Sequence, residues 1–400
     1  MDLFEKLNQY KLDVPNFEEP LKVNSHIHTP FSFSAFNSVA EAAVLAIKEN
    51  IQILGINDFY TIDGYDEFNY VCRKNKIYPL FNIEFMALDK DFQKNNIRVN
   101  DPSNPGRIYF CGKGLDYPVK ETKFNYMLNG LQNAANEQIK AMINTLNCYL
   151  KENSINIEFS FDYIQKNLAK NLVRERHIAK AIRIAIQKRT QNEYEYKAFL
   201  KTLYKGNEST ANIEDNSSVE NEIRNKLLKK GGPAFVPEDE SAFLNIQKVI
   251  EYIYIAGGIP CYPVLLDDNN GKFTEFEENW DKMYDYLIKL GINCIELIPG
   301  RNGLEILEKF VNFFYDKGFI VLMGTEHNTP EMIPLTVMCR NNMPLSDNML
   351  KISFDSACVV VAHQYLRLHN EKGYVNKPDV NTRNSFIEFG KAVLNNYLKN

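Results

Sequence analysis

The sequence is poor in the residues and patterns that mark several classes of protein. Only six of its 400 residues are histidine, and only one is tryptophan. Its seven cysteines are scattered along the chain, and no two of them form a Cys-x-x-Cys pair. An odd number of dispersed cysteines argues against a disulfide framework. We therefore expect reduced thiols in the core of a protein from a reducing compartment.

Charge and hydropathy exclude further classes. The 46 basic residues are outnumbered by 51 acidic ones, so the chain has no basic surface for extended nucleic acid, although a short nucleotide is still allowed as a ligand. No apolar run is long enough to span a membrane, and acidic residues stand near the N-terminus where a signal peptide needs positive charge. We expect a cytoplasmic protein without a membrane partner. The sequence leaves the oligomeric state open.

Short apolar runs alternate with helical patterns from Lys22 to about Leu115. Ser38-Val39-Ala40-Glu41 predicts a capping box that opens a helix ending near Lys48. The predicted strands cover Ile51–Ile56, Ile77–Glu84, Arg107–Cys111, Ile255–Pro263, Ile292–Ile298 and Phe319–Met323. Alternating strands and helices are typical of a parallel α/β fold, which places functional groups at the C-terminal ends of its strands.

Helical periodicity dominates the middle and the end of the chain. Leu128–Leu150 and Arg174–Gln187 predict amphipathic helices, and Gly206–Ser218 predicts a polar, mobile loop. After Glu331 only helical patterns remain. The middle region therefore predicts a helical subdomain inserted into the α/β fold.

The segment His26-Ile27-His28-Thr29 is the strongest chemical signal. Residues i and i+2 of a strand point to the same side, so His26 and His28 share a face and can bind one metal ion. Such a pair alone is weak evidence, because it also occurs on ordinary surfaces. Carboxylates at the ends of the next predicted strands, Asp58 just past one and Glu84 as the last residue of the other, strengthen the interpretation as a metal site.

Several motifs in the same order resemble a known family, the polymerase-and-histidinol-phosphatase (PHP) superfamily, and within it the nucleoside-phosphate phosphatase branch. The motifs are His26-Ile27-His28-Thr29, Ile56-Asn57-Asp58, Asn82-Ile83-Glu84, Arg174-Glu175-Arg176-His177-Ile178-Ala179, Gly231–Pro237, Cys261-Tyr262-Pro263 and Gly324-Thr325-Glu326-His327-Asn328. The resemblance extends from about Val23 to Pro330.

The resemblance implies a distorted (β/α)7 barrel with an inserted helical subdomain and C-terminal helices. We expect an N-terminal extension over residues 1–22 and a barrel formed by residues 23–115 and 241–332. The helical insertion then covers residues 116–240, and the C-terminal helical segment covers residues 333–400.

The chain departs from the family pattern at positions that ligate metal in relatives. The departures are Phe33, Phe59, Tyr109, Tyr262 and Asn328. The four residues that keep ligand chemistry are His26, His28, Glu84 and Glu326, the last favoured over its neighbour His327. Two imidazoles and two carboxylates suit one divalent ion such as Zn²⁺, Mn²⁺ or Fe²⁺. The resemblance therefore implies one ion where relatives hold three.

The implied function is a metal-dependent hydrolase that acts on a small phosphorylated or nucleotide-like molecule. In this interpretation Asp58 is the general base, and Arg176, His177 or Arg301 neutralises phosphate charge. Two alternatives stay open at this point. One is a single-metal enzyme that hydrolyses amides or esters or isomerises sugars, and the other is a degenerate protein that binds a ligand without catalysis.

Overall fold

Seven strands form one sheet that curls into a nearly closed barrel in the computed structural model, which describes residues 3–15, 17–268, 270–375 and 377–399. The strands lie side by side in chain order, and a bridge between Ile27 and Glu326 brings the two edges of the sheet together. The strands are β1 (Val23–Ile27), β2 (Ile53–Phe59), β3 (Tyr78–Leu88), β4 (Arg107–Lys113), β5 (Ile259–Val264), β6 (Cys294–Leu297) and β7 (Ile320–Met323). The predicted distorted barrel is confirmed.

One strand of the barrel runs against the others. β4 pairs antiparallel with both β3 and β5, whereas the remaining neighbours are parallel. An antiparallel neighbour needs no crossover to the opposite end of the sheet, and residues 89–106 join the end of β3 to the start of β4 on the same side. Successive inward residues of β4 therefore descend into the barrel, from Tyr109 through Cys111 to Lys113.

Helices surround the sheet. They are α1 (Leu3–Gln9), α2 (Val39–Lys48), α3 (Tyr65–Lys74), α4 (Lys90–Lys94), α5 (Thr122–Glu152), α6 (Phe161–Leu168), α7 (Glu175–Gln187), α8 (Glu193–Leu203), α9 (Asn216–Ile223), α10 (Ile246–Ile255), α11 (Trp280–Lys289), α12 (Leu304–Asp316), α13 (Asp347–Leu368) and α14 (Val380–Lys399). The N-cap half of the predicted capping box of α2 is confirmed, because the Ser38 hydroxyl accepts a hydrogen bond from the Glu41 backbone N–H at 3.1 Å. The other half differs, because the Glu41 carboxylate accepts from the Asn37 backbone N–H at 2.6 Å. No helix in the described part of the chain has the length and apolar character to cross a membrane.

The helical insertion has an apolar core of its own. The first half of α5 buries Phe124 and Leu128 against the barrel, and its second half buries Ile143 and Leu146 against α6 to α9. Helix α5 is therefore shared between the barrel and the insertion. The predicted loop Gly206–Ser218 is shorter than expected, because α9 already begins at Asn216, capped by the Asp215 side chain.

The C-terminal helices close the bottom of the barrel. α13 and α14 pack with α1 in an apolar cluster that includes Val23, Ile53 and Ile320 from the starts of three parallel strands. The helices thus seal the end opposite to the predicted active site. The expectation of only helices after Glu331 is wrong in one detail, because Met338–Cys339 (β8) and Met343–Pro344 (β9) form a small antiparallel pair.

Candidate metal centre

Two imidazoles converge at the C-terminal end of β1. His26 lies on this strand and His28 follows it, so both side chains point into the barrel, where both are buried. Their Nε2 atoms are 3.2 Å apart. Two nitrogen ligands on one tetrahedral zinc ion are separated by about 3.3–3.4 Å, which follows from Zn–N bonds of about 2.0–2.1 Å.

A carboxylate completes a group of three donors. Glu84 on β3 is buried, and its Oε2 lies 3.4 Å from the His28 Nε2. One donor atom from each of His26, His28 and Glu84 lies within 4.8 Å of the other two. The structure therefore brings together three of the four residues predicted to bind metal.

The second nitrogen of each imidazole has its own partner. The His26 Nδ1 lies 2.7 Å from Glu296 Oε2, and the His28 Nδ1 lies 3.0 Å from the Ser32 hydroxyl. Such outer contacts fix the ring orientation and the tautomer of metal-binding histidines. With a proton on each Nδ1, both Nε2 lone pairs are available to one ion.

The electrostatics of the group suit a cation. Burial lowers the pKa of His28 well below its usual value, and His26 lowers it further, so the imidazole is neutral, as ligation requires. Burial also raises the pKa of Glu84 well above its usual value, and the charge of Glu326 adds to that rise. A bound divalent ion would favour the ionised form of Glu84 and so offset the effects of burial and of Glu326 on its pKa.

Glu326 lies beside the histidine pair with its carboxylate directed elsewhere. Its backbone N–H donates to the His26 carbonyl at 2.9 Å, and its own carbonyl accepts from the His28 N–H at 2.7 Å. Its side chain forms an ion pair with Arg301. His327 has both ring nitrogens in contact, with the Thr325 hydroxyl and the Ile333 carbonyl, and its ring stacks on Phe36.

Asp58 lies within the barrel wall, behind the ligand group. Its carboxylate accepts hydrogen bonds from the Thr29 N–H at 2.7 Å, the Thr29 hydroxyl at 2.5 Å and the Ser32 hydroxyl at 2.6 Å. Burial raises the pKa of Asp58 to about 7, although these hydrogen bonds lower it. The carboxylate is therefore committed to neighbouring donors of the loop after β1.

A small cavity of about 60 Å³ joins the barrel mouth to the insertion. The barrel contributes His28, Ser32, Phe33, Glu84, Tyr109 and Asn328, and the insertion contributes Arg174, Glu175, Arg176 and Arg224. Burial and the neighbouring Arg224 lower the pKa of Arg176 to about 10, so its guanidinium stays charged at neutral pH. The arrangement places three guanidinium groups opposite the candidate metal ligands.

His177 caps the start of α7, whereas Arg176 lines the cavity. The His177 Nδ1 accepts the Arg174 backbone N–H at 2.9 Å, which forms this cap. Its ring packs edge to face against Phe33, with ring centres 5.0 Å apart. His177 is not among the described residues that line the cavity.

Comparison with known proteins decides the family. The model of the PHP domain matches residues 24–297. The chain belongs to the PHP domain family. No curated protein matches it.

Two solved structures share the fold of this PHP protein. A candidate metal-dependent phosphoesterase from Bifidobacterium adolescentis is 17% identical, with a TM-score of 0.53 over 82% of this chain and 94% of that chain. An amidohydrolase from Chromobacterium violaceum, solved with bound sulfate and no metal, is 15% identical, with a TM-score of 0.53 over 83% of this chain and 96% of that chain. At such identities the likeness concerns the fold alone.

The residues at the altered family positions fill the PHP barrel in different ways. Phe33, Tyr109 and Asn328 line the cavity. The Phe59 ring lies 4.0 Å from the guanidinium carbon of Arg174. The Tyr262 hydroxyl donates to Glu277 at 2.7 Å in a buried contact.

Sequence reasoning missed part of this site. Glu296, which holds His26, is the single charged residue in the apolar run Ile292–Ile298, and that isolation was a usable signal. Lys113 also escaped notice, although it follows a predicted strand and is fully buried. Arg224 gave no signal, because it reaches the cavity only through the tertiary packing of the insertion.

Proposed function

We propose that this PHP protein is a metal-dependent hydrolase of a small phosphorylated or nucleotide-like substrate and that it uses a single divalent ion. The observation that carries the proposal is the cavity between the two parts of the site. Its barrel side offers His28 and Glu84, and its insertion side offers Arg174 and Arg176. Cations and metal ligands that face one small cavity suit the hydrolysis of an anionic group.

His26, His28 and Glu84 would hold the ion, with Glu326 as the fourth ligand once its carboxylate turns from Arg301. A bound Zn²⁺, Mn²⁺ or Fe²⁺ supplies a water of lowered pKa and polarises the bond to be cleaved. Glu326 is already fixed in the backbone beside both histidines, so a change of its side-chain rotamer is the movement required.

The arginines bind and orient the anionic group. Arg224 donates twice to Glu175, whereas the described contacts of Arg176 are a hydrogen bond to Asn221 at 3.2 Å and the face of Phe33. A guanidinium group that lacks a direct carboxylate partner attracts a phosphate through charge-assisted hydrogen bonds. Arg176 is therefore the main anion ligand in this proposal, and Arg174 assists it.

The small volume of the cavity limits the size of the group that it can enclose. A pocket that encloses a whole drug-sized ligand has a volume of about 300–1,000 Å³, several times that of this cavity. We infer that only the reacting anionic group is enclosed and that the rest of the substrate lies toward the barrel mouth. Phe33 and Tyr109 then pack against the enclosed group and exclude water from it.

For Asp58 we propose a positioning role instead of the general-base role predicted from the sequence. Its oxygens accept from Thr29 and Ser32, and Ser32 in turn contacts His28. For His177 we likewise propose a role in shaping the wall, through the cap of α7 and the contact with Phe33.

The test has two measurements on the purified protein. Elemental analysis should find close to one divalent ion per chain, and His26→Ala with His28→Ala should remove it, whereas the exposed His369→Ala should not. A screen of phosphorylated and unphosphorylated small molecules should then find phosphate release. Turnover of only amides, esters or sugars would favour the alternative enzyme, and a native protein that cannot be loaded with metal would favour a ligand-binding protein without catalysis.

A further inference from the structure

A lysine lies beneath the candidate metal ligands, fully enclosed by the barrel. Lys113 at the end of β4 has no exposed surface. Its ammonium group donates to Glu296 Oε1 at 2.5 Å and to the Asn57 Oδ1 at 2.9 Å. A buried ammonium group is costly unless it is paired and hydrogen-bonded, and here it is both.

One partner of Lys113, the Glu296 carboxylate, belongs to a second group with metal-ligand spacing. His26, Cys111 and Glu296 each offer a donor atom within 4.8 Å of the other two, and all three are buried. Glu296 connects the two halves of the network, because its Oε2 contacts the His26 Nδ1 while its Oε1 accepts from Lys113. The carboxylate of this second group is thus already neutralised by a cation of the protein itself.

The Asn57 amide does not compete for the metal-binding lone pair of His26. Its Nδ2 lies 3.0 Å from the His26 Nε2 and 3.3 Å from the Nδ1. A donor along the Nε2 lone pair would be much farther from Nδ1, so the amide lies over the face of the ring. Asn57 therefore lies against the His26 ring, Lys113 acts on this ring only through Glu296, and the His26 Nε2 stays directed at His28.

We propose that Lys113 is a built-in cation that lies beside a second metal position and, by its charge, limits the centre to one ion. A divalent ion at His26, Cys111 and Glu296 would face the ammonium group at close range in a buried environment, where repulsion between like charges is strong. Lys113 also keeps Glu296 in place to hold the tautomer of His26. It is a positioning residue, and the inference rests on the proposed single-ion function.

Cobalt titration of the full-length protein tests the inference without an activity assay. The native protein should bind one Co²⁺ with no thiolate-to-cobalt absorption band. Lys113→Met keeps most of the buried stem and removes the charge. This variant should bind a second Co²⁺ at the His26 Nδ1, Cys111 and Glu296 with such a band, as the Nδ1 and the Cys111 thiol release their protons to solvent. Adding Cys111→Ser should abolish the band. Lys391→Met, which removes a lysine that contacts Asp355 on α13 and Glu388 on α14, is the matched control and should behave as the native protein does.

The outcomes separate the inference from the proposed function. A native protein that binds no Co²⁺, or that binds two, contradicts the proposed single-ion function. A native protein that binds one ion, together with a Lys113→Met variant that also binds one ion with an unchanged spectrum, overturns the role of Lys113 alone. If Lys113→Met does not fold, Lys113→Met with Glu296→Gln restores neutrality. That protein should bind one Co²⁺ with about 10–100-fold lower affinity, the usual effect of losing an outer-shell partner. Native affinity in the double variant would also overturn the inference.

Discussion

The carboxylate of Asp58 is connected to the imidazole of His28 through one hydroxyl group. The Ser32 hydroxyl donates a hydrogen bond to Asp58 Oδ1 at 2.6 Å. Its oxygen can therefore accept a hydrogen bond from a protonated His28 Nδ1, which lies 3.0 Å away. This direction of the hydrogen bonds leaves the His28 Nε2 unprotonated, with its lone pair directed at the other candidate metal ligands, His26 and Glu84. Asp58, which the sequence suggested as a general base, can thus fix the tautomer in which His28 binds metal.

Asp58→Asn should therefore weaken metal binding by about 10–100-fold, because the amide can neither accept from all three donors nor orient Ser32. The measurement is the dissociation constant for Zn²⁺ or Co²⁺, with the exposed Asp281→Asn as control. If Asp58 is instead the general base, the ion should stay bound with native affinity while the rate falls by about 10²–10⁴-fold. The two roles are therefore distinguished by metal affinity alone.

Local patterns in the sequence predicted the parts of the fold that neighbouring residues determine. The alternation of His26 and His28 and the Ser38 cap depend on residues two or three positions apart, and both are found as expected. The direction of β4 could not be predicted in this way. Parallel and antiparallel buried strands have similar residue patterns, and residues 89–106 before β4 are long enough for either kind of connection.

The candidate site shows the same limit. Glu296 and Lys113 are 183 positions apart in the chain, and the ion pair between them is visible only when the barrel has closed. Family resemblance identified the positions of His26, His28 and Glu84 because it carries tertiary information that a single sequence lacks. It carried no such information for Lys113, which matched none of the motifs.

Gly390→Ala should destabilise the protein because α14 crosses α13 closely at this glycine. An added Cβ would lie 1.9 Å from the Cys358 carbonyl oxygen, so the helices must separate. Overpacking of this kind costs about 1–3 kcal/mol. Denaturant unfolding should show the loss, while metal content stays native. Gly130→Ala in α5 meets no atom within 4 Å and should instead stabilise by about 0.5–1 kcal/mol. A Gly390→Ala protein of native stability would contradict the packing of the two helices.

Arg176→Met should weaken the binding of inorganic phosphate to the metal-loaded protein by about 10–100-fold, because a charge-assisted hydrogen bond contributes about 1.5–3 kcal/mol. The phosphate affinity of Arg176→Lys should lie between those of the native protein and Arg176→Met, since lysine keeps the charge and loses the planar pair of donors. Calorimetric titration with phosphate is the measurement, and the exposed Arg189→Met on the insertion is the control. If Arg176→Met binds phosphate with native affinity, Arg174 and not Arg176 is the main anion ligand.

Glu277, which is not one of the candidate metal ligands, should make stability depend on pH. It is fully buried and accepts from the Tyr262 hydroxyl and from the backbone N–H groups of Leu265 and Leu266. Burial raises the pKa of Glu277 to about 7, although these hydrogen bonds lower it. The folded state therefore keeps its proton up to a higher pH than the unfolded state, so this group's contribution to the free energy of unfolding declines between about pH 4.5 and pH 7.

The matched variant Glu277→Gln carries no titrating group at this position. A pKa raised from 4.5 to about 7 corresponds to roughly 3 kcal/mol, at about 1.4 kcal/mol for each pH unit. The free energy of unfolding of the native protein, measured relative to that of the variant, should therefore decrease by about this amount between pH 4 and pH 8. Urea unfolding at several pH values measures the difference. A difference that stays constant, or that grows with pH, would mean that the three donors outweigh burial and that Glu277 is ionised in the folded protein.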